Sequence, residues 1–150
     1  MKKILVPIDG SKASQKAAEK AISLAKEFGY EVKFISVVNV PTDDKYAIFG
    51  VNVQTAFNAN RKEMLKELME KETKMLNRII KNLDASDVKV EQVVIAGIPY
   101  EEILKVAKEE NFDIIVMGRR GFSNIERFFI GSVTQRVIAG STCPVLVVNE

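Results

Sequence analysis

The 150-residue sequence contains no histidine and no tryptophan, and Cys143 is its single cysteine. Without histidine, neither a Ser-His-Asp nor a Cys-His catalytic arrangement can form within one chain. One cysteine cannot form an internal disulfide or a cysteine cluster for zinc. We interpret Cys143 as a buried or half-buried residue before Pro144, with a redox role as the alternative.

The sequence also lacks a long apolar run and a strong excess of either charge. No run approaches the roughly 20 apolar residues of a membrane-spanning helix, and the short apolar stretch near Met1 does not resemble a signal peptide. Twenty-two Lys and Arg against 20 Asp and Glu give a formal net charge of +2. Such a balance gives no reason to expect nucleic acid as a partner. We expect a cytoplasmic protein with one domain over residues 1–150, bound to neither membrane nor nucleic acid.

Apolar runs separated by turn-forming residues predict five strands with helices between them. The predicted strands comprise residues 2–8, 31–40, 88–96, 113–117 and 144–148. The predicted helices comprise residues 13–28 with Gly29 as the stop, about 59–83, 99 to about 111, and 132–140. A Ser-x-x-Gln capping box at Ser132 indicates the start of the last helix. This alternation predicts an α/β fold with a parallel sheet, in which ligands bind at the carboxyl ends of strands.

The chain before the second predicted helix shows weak periodicity and many turn formers. We interpret residues 39–58 as a long connection. The helix after it has an apolar stripe that we interpret as core, including its methionines. The stripe comprises Met64, Leu65, Leu68, Met69, Met75, Leu76, Ile79, Ile80 and Leu83.

A glycine-rich loop directly follows the fourth predicted strand. Gly118-Arg119-Arg120-Gly121 is followed after nine residues by Gly131-Ser132, where a helix is predicted to begin. Glycines expose backbone N–H groups, and a helix N-terminus favours an anion, so this loop suits phosphate. It is neither a Walker A loop nor the dinucleotide-binding Gly-x-Gly-x-x-Gly. The alternative is that these glycines only end a strand.

The pattern Gly-x2-Gly-x9-Gly-Ser after a strand reading Asp-Ile-Ile-Val-Met resembles the nucleotide-binding branch of the universal stress protein family. Residues 4–11 resemble the opening of that family, Gly97-Ile98-Pro99 its Gly-x-Pro before the third helix, and residues 143–148 its closing strand. The resemblance covers essentially the whole chain. It implies an open five-stranded parallel sheet of order 3-2-1-4-5 with helices on both faces, Rossmann-like. It also implies ATP binding and a homodimer formed through the last strand, Val145–Val148.

The resemblance also implies roles for individual residues. Asp9 would hold the ribose hydroxyls, the Val37 backbone would meet the adenine edge, and Gly118 would lie by the ribose. Gly121, Gly131, Ser132 and Val133 would present N–H groups and a hydroxyl to the phosphates. Mg²⁺ or Mn²⁺ would enter with the phosphates, and Ser132 is a candidate ligand. The complete predicted nucleotide-contacting set is Pro7, Ile8, Asp9, Val37, Met117, Gly118, Arg120, Gly121, Gly131, Ser132 and Val133.

Several of these residues have plainer interpretations. Asp9 could be only a helix N-cap. Arg119 and Arg120 could pair with phosphate or point to solvent, and Arg127 and Arg136 are interpreted as surface charges. The last strand could be covered on both faces within one chain rather than pair with a second copy.

The resemblance implies a cytoplasmic ATP-binding regulatory protein of the stress response, in which the nucleotide acts as a switch or signal. A slow metal-dependent ATPase or phosphotransferase using the same pocket is the alternative, although no catalytic base can be named. A pyrophosphatase or adenylyltransferase is disfavoured because the Ser-Gly-Gly-x-Asp-Ser and His-x-Gly-His motifs are absent.

Overall fold

A computed structural model describes residues 2–40, 51–121 and 130–149, with side chains in the second range from residue 60 onward. In these ranges five strands and four helices alternate. The strands are β1 (Lys3–Pro7), β2 (Glu31–Asn39), β3 (Val90–Gly97), β4 (Ile114–Gly118) and β5 (Val145–Val148). The helices are α1 (Lys12–Phe28), α2 (Val51–Lys81), α3 (Pro99–Glu109) and α4 (Ser132–Gly140). Within these ranges, no helix combines the length and the apolarity needed to cross a membrane.

The five strands form one sheet of order β3-β2-β1-β4-β5, and all four strand pairs are parallel. The predicted fold class and strand order are therefore confirmed. β1 lies at the centre, where Leu5 is in register with Lys33 of β2 and Ile115 of β4. The chain leaves β1 in one direction for β2 and β3 and returns on the other side for β4 and β5. The carboxyl ends of β1 and β4 consequently border the point where strand order reverses, which is where open α/β sheets hold ligands.

Helices cover both faces of the sheet. Alternate residues of β1 point to opposite faces, so that Ile4 and Val6 pack with α1 and α2 while Leu5 packs with α3 and α4. Alanines on α1, such as Ala17 and Ala21, are fully buried. Their small side chains let α1 lie close to the sheet.

The start of α2 was predicted wrongly. The helix begins at Val51 rather than at about Ala59, so part of the predicted connection is helical. Residues 41–50 lie outside the described ranges. Extending a helix adds one hydrogen bond per residue without a new nucleus, so a strong helix can recruit a preceding segment that has little periodicity of its own.

The apolar stripe of α2 is only partly core. Leu76 and Ile79 are buried, whereas Met64 and Leu68 are 58% and 43% exposed. The reason is length: 31 residues of helix span about 46 Å. The nine residues of β2 span about 30 Å. The amino-terminal half of α2 therefore has less sheet to cover, and the prediction of core methionines is wrong for Met64.

Candidate functional site

A cavity of about 290 Å³ opens at the carboxyl edge of the sheet, between the ends of β1, β2 and β4 and the starts of α1, α3 and α4. All eleven residues of the predicted nucleotide-contacting set lie around it. The full lining is Pro7, Ile8, Asp9, Ser11, Ser14, Ile35, Val37, Pro99, Ile103, Met117, Gly118, Arg120, Gly121, Gly131, Ser132, Val133 and Thr134. The structure thus brings the predicted residues together, while their roles toward a ligand stay predictions.

Asp9 stands at the turn from β1 into α1. Its Oδ1 accepts a hydrogen bond from the Ser11 amide at 2.9 Å, and Gly10 makes the turn with a φ of 87°. The N-cap of α1 is Ser11, whose Oγ accepts from the Ser14 amide. The N-cap interpretation of Asp9 is therefore wrong. Because only Oδ1 is committed to the turn, the Asp9 carboxylate keeps acceptor capacity toward the cavity.

Gly121 closes the cavity opposite Asp9. A Cβ added to Gly121 would meet Asp9 Oδ2, so any larger residue would occupy the space between the two. A Cβ on Gly118 would lie 2.7 Å from backbone and side-chain atoms of Ala13. Gly118 is therefore required for the close approach of β4 to α1, in addition to lining the cavity. The plainer interpretation of the loop thus holds in part for Gly118, whereas Gly121 faces the cavity.

The N-terminus of α4 forms another part of the cavity wall. Gly131 is its N-cap, and no side chain caps the helix, so the predicted capping box at Ser132 is wrong. The Gly131 amide donates to Arg119 O at 2.7 Å, which holds the loop end against the helix start. That amide is therefore committed within the chain instead of pointing at the cavity, unlike the predicted role for Gly131.

The amides directly after Gly131 do not take part in the hydrogen bonds of the helix. The first helical bond joins the Gln135 amide to Gly131 O, so the amides of Ser132, Val133 and Thr134 precede the helical ladder. The Thr134 hydroxyl donates to Gly118 O at 2.9 Å and ties α4 to the end of β4. The Ser132 side chain is exposed beside the cavity. The first turn of α4 thus offers several N–H groups and one hydroxyl at the same place.

Part of the cavity lining is apolar. Ile35, Ile103 and Met117 are buried there, and Pro99 begins α3 at the same wall. Val37 on β2 is half-buried. A flat apolar group such as a nucleobase fits such a wall, because apolar contact and a few polar groups characterise small-molecule sites.

Charge is distributed unevenly around the cavity. Among the lining residues of the described ranges, Arg120 carries the only positive side chain and Asp9 the only negative one. The first turn of α3 contains two glutamates, Glu101 and Glu102, whereas α1 and α4 have no acidic residue in theirs. The helix dipoles therefore favour an anion at the starts of α1 and α4 rather than at α3.

Six lining residues were missed from the sequence: Ser11, Ser14, Ile35, Pro99, Ile103 and Thr134. Ser11 and Pro99 belong to the motifs of residues 4–11 and 97–99, so their positions in these motifs could have identified them as lining residues. Ile35 and Ile103 carry only a core-like apolar signal. Of the arginines set aside as surface charges, Arg136 is exposed over the Tyr100 ring, and Arg127 lies outside the described residues.

Cys143 is half-buried, as predicted, and its amide donates to Ser141 Oγ. A metal site made of protein side chains alone is not evident: in the three described ranges no group of three Cys, Asp or Glu side chains could hold an ion. A metal bound here would need ligand oxygens from elsewhere, as Mg²⁺ commonly takes from phosphates and water.

Comparison with known proteins gives a family match over residues 1–149, to the universal stress protein family. Universal stress protein MJ0531 of Methanocaldococcus jannaschii is 37% identical over 150 residues, which cover 99% of this chain and 82% of that protein. Universal stress protein MJ0577 of the same organism is 36% identical over 154 residues, covering 99% and 95%.

Solved structures agree with the sheet described above. The structure of MJ0577 superposes with a TM-score of 0.79 at 32% identity and covers 99% of this chain and 96% of that one. A universal stress protein from Archaeoglobus fulgidus, solved in complex with dAMP, superposes with a TM-score of 0.55 at 21% identity, covering 99% and 98%. At that identity the second likeness concerns the fold alone.

Proposed function

The chain belongs to the universal stress protein family, and we propose that it binds ATP in the cavity at the carboxyl edge of its sheet. One observation carries the proposal: eleven residues from four separate segments, which the family resemblance implies as nucleotide contacts, line one cavity. The cavity lining includes buried apolar side chains, one carboxylate and a helix N-terminus without a side-chain cap, and these groups suit a base, a ribose and a phosphate chain.

The proposed orientation of the nucleotide matches each part of the ligand to the lining groups that suit it. The adenine lies among Pro7, Ile8 and Met117 and reaches the backbone of Val37. The ribose lies between Asp9 and Gly118, because a carboxylate accepts hydrogen bonds from a diol. The phosphates extend toward the start of α4, since that helix lacks acidic residues in its first turn.

The phosphates are held by Gly121, Ser132 and Val133, with Arg120 supplying the positive charge that glycines lack. Gly131 contributes by letting the loop approach α4, since a Cβ there would lie 3.0 Å from Arg120 Cα; its own amide is bonded to Arg119 O. Mg²⁺ or Mn²⁺ enters with the phosphates, and the exposed Ser132 hydroxyl is its proposed side-chain ligand.

The site suits retention of ATP better than its hydrolysis. Hydrolysis requires an oriented water and stabilisation of developing charge. Among the described lining residues Asp9 carries the only carboxylate; its Oδ1 accepts from the Ser11 amide, and its remaining acceptor capacity is assigned to the ribose, so no second carboxylate there is left to orient a water. We propose a cytoplasmic regulatory protein of the stress response in which bound ATP is a signal.

A second copy of the chain is the proposed partner of β5. This strand lies at the sheet edge and consists of Val145, Leu146, Val147 and Val148, all half-buried. An apolar edge invites pairing, and a two-fold homodimer through β5 would cover it. Sedimentation of the purified chain at micromolar concentration measures this directly.

The deciding experiment is chemical. Freshly purified protein is denatured, and any released nucleotide is identified by mass spectrometry; emptied protein is then titrated with ATP, GTP and CTP by calorimetry. We expect adenine nucleotide in the first measurement and a preference for ATP in the second. Protein that contains no adenine nucleotide and shows no heat on titration with ATP would refute the proposal. Prompt ADP formation with Mg²⁺ or Mn²⁺ would instead identify an ATPase.

A further inference from the structure

A polar contact connects α2 to the turn that carries Asp9. Ser36 on β2 is fully buried, and its hydroxyl lies 2.8 Å from Ile8 O and 2.5 Å from Glu72 Oε1. Ile8 directly follows β1, lines the cavity, and donates its amide to Ile35 O at 2.8 Å. Glu72 is half-buried on α2. The three residues form one chain of contacts from α2, through the sheet, to the edge of the cavity.

The hydroxyl of Ser36 has a single hydrogen but two acceptors within hydrogen-bond distance. It can therefore donate fully to Ile8 O or to Glu72 Oε1, but not to both. A hydrogen bond to a charged carboxylate is stronger than one to a neutral carbonyl. With Glu72 in contact, the carboxylate competes for the hydrogen; with α2 displaced, the hydrogen belongs to Ile8 O alone.

The Ile8 carbonyl matters because it shares a planar peptide group with the Asp9 amide. Holding Ile8 O fixes the plane from which the Asp9 Cα and carboxylate project. Asp9 Oδ1 in turn receives the Ser11 amide at the N-cap of α1. How firmly Ser36 holds Ile8 therefore affects the carboxylate that faces Gly121 across the cavity.

We propose that Ser36 and Glu72 are positioning residues that couple α2 to the nucleotide site. Ser36 holds the Ile8–Asp9 peptide, and Glu72 weakens that hold by competing for the same hydrogen. The position of α2 and the order of the Asp9 turn are thus linked in both directions, as thermodynamic coupling requires. The consequence for ATP rests on the proposed function, whereas the link between α2 and the turn does not.

The test is a series of variants, each with a predicted rise or fall in the amide hydrogen exchange rate of Ser11 and Ser14, measured without nucleotide. Ser36→Ala removes the donor, so exchange should rise about threefold to tenfold, the range expected for one hydrogen bond. Glu72→Ala removes the competitor, so exchange should fall. Glu72→Gln should lower it also, because the introduced amide can donate to Ser36 Oγ. Glu70→Gln is the matched control: it makes the same charge change at an exposed site on α2 and should change nothing.

A merely structural role for Glu72 predicts faster exchange in the Glu72 variants, since loss of a packing contact would loosen the turn. Faster exchange in both Glu72→Ala and Glu72→Gln, or no change in either, would therefore overturn the proposal. If Ser36→Ala does not fold, the two Glu72 variants still decide. Urea unfolding of each variant separates a local change from global destabilisation.

A second arm adds ATP. Wild-type protein should show altered exchange along α2 near Glu72 when ATP binds, and Glu72→Ala should bind ATP but lose that response. If the wild type binds no ATP, the proposed function fails, and the nucleotide-free series still settles the contact with α2. If ATP binds and α2 responds equally in Glu72→Ala, the coupling is refuted while the proposed function survives.

Discussion

The two edges of the sheet carry cavities of similar size and opposite chemistry. The carboxyl edge has the cavity of about 290 Å³ with one positive and one negative side chain. The amino edge has a cavity of about 250 Å³ whose lining includes three lysines and three glutamates: Lys3, Lys33, Lys89, Glu31, Glu91 and Glu110. By the number of positive side chains alone, the amino edge would be the better anion site.

The charges of the amino edge largely satisfy one another. Lys33 Nζ pairs with the Glu110 carboxylate at 2.9 Å, and Lys89 Nζ pairs with Glu31 at 3.4 Å. Lys3 Nζ donates to Glu110 O and lies over the Phe112 ring. At the carboxyl edge, by contrast, the amides at the start of α4 precede the helical ladder. An anion site depends on hydrogen-bond donors that have no acceptor within the fold, such as the first amides of a helix, rather than on cavity volume or on the number of charges.

The largest expected effect is steric and belongs to the carboxyl edge. Gly121→Val should weaken ATP binding at least about a hundredfold, about 2.7 kcal/mol, because even its Cβ would meet Asp9 Oδ2. Calorimetric titration with ATP measures the loss. Gly140→Ala is the control: its Cβ would press only on a methyl group of Leu104, away from the cavity, and affinity should hold. A folded Gly121→Val protein with wild-type affinity would remove this edge as the nucleotide site.

A smaller effect is expected from the carboxylate itself. Asp9→Asn keeps an acceptor for the Ser11 amide but loses the charge, so ATP affinity should fall about tenfold, as expected for a hydrogen bond to a charged group. The wild type should also prefer ATP over 2′-deoxy-ATP, and the variant should lose most of that preference. Glu110→Gln, a matched change at the amino edge, should leave both affinities unaltered. Equal discrimination in Asp9→Asn and wild type would show that Asp9 does not contact the ribose.

The same contrast explains what could be predicted from the sequence. Asp9, Gly118 and Gly121 lie at or just after strand ends, so strand patterns and glycine spacing were sufficient to place them at one edge of a parallel sheet, whereas the strand order and the roles of these residues came from the family resemblance. Contacts such as Ser36 with Glu72 join residues 36 positions apart. They depend on how α2 packs on β2, and neither residue has a local signal. The ion pairs of the amino edge were unpredictable for the same reason.

Errors at the site arose where two local signals competed. Ser132 with Gln135 matches a capping box, yet Gly131 takes the cap position, since its carbonyl accepts the first helical bond from the Gln135 amide. Asp9 matches an N-cap, yet Ser11 two residues later takes that position. In both cases the residue types at nearby positions both suit a cap, and local preference alone does not say which of them begins the helix.

The smallest expected effect concerns an ion pair near the amino edge, outside both cavities. Lys26 at the end of α1 donates to Asp84 Oδ2 at 2.8 Å, and Ser86 Oγ donates to Oδ1. The hydrogen bond from Lys26, with a smaller contribution from Ser86, lowers the pKa of Asp84 below its ordinary value of 3.8. The folded chain thus binds this proton less readily than the unfolded chain. The small stabilisation is therefore present above the unfolded pKa and lost as pH falls through the folded one.

Titration of Asp84 by NMR should accordingly give a pKa below 3.8, and Lys26→Gln should raise it toward that value. Lys20→Gln, an exposed change on the same helix, should leave it alone. Neither variant should alter ATP affinity at neutral pH, because the charges of this edge act on one another. If Lys26→Gln weakened ATP binding as much as Asp9→Asn does, the two edges would be coupled. The contrast between an amino edge whose charges pair with one another and a carboxyl edge that binds the ligand would then be wrong.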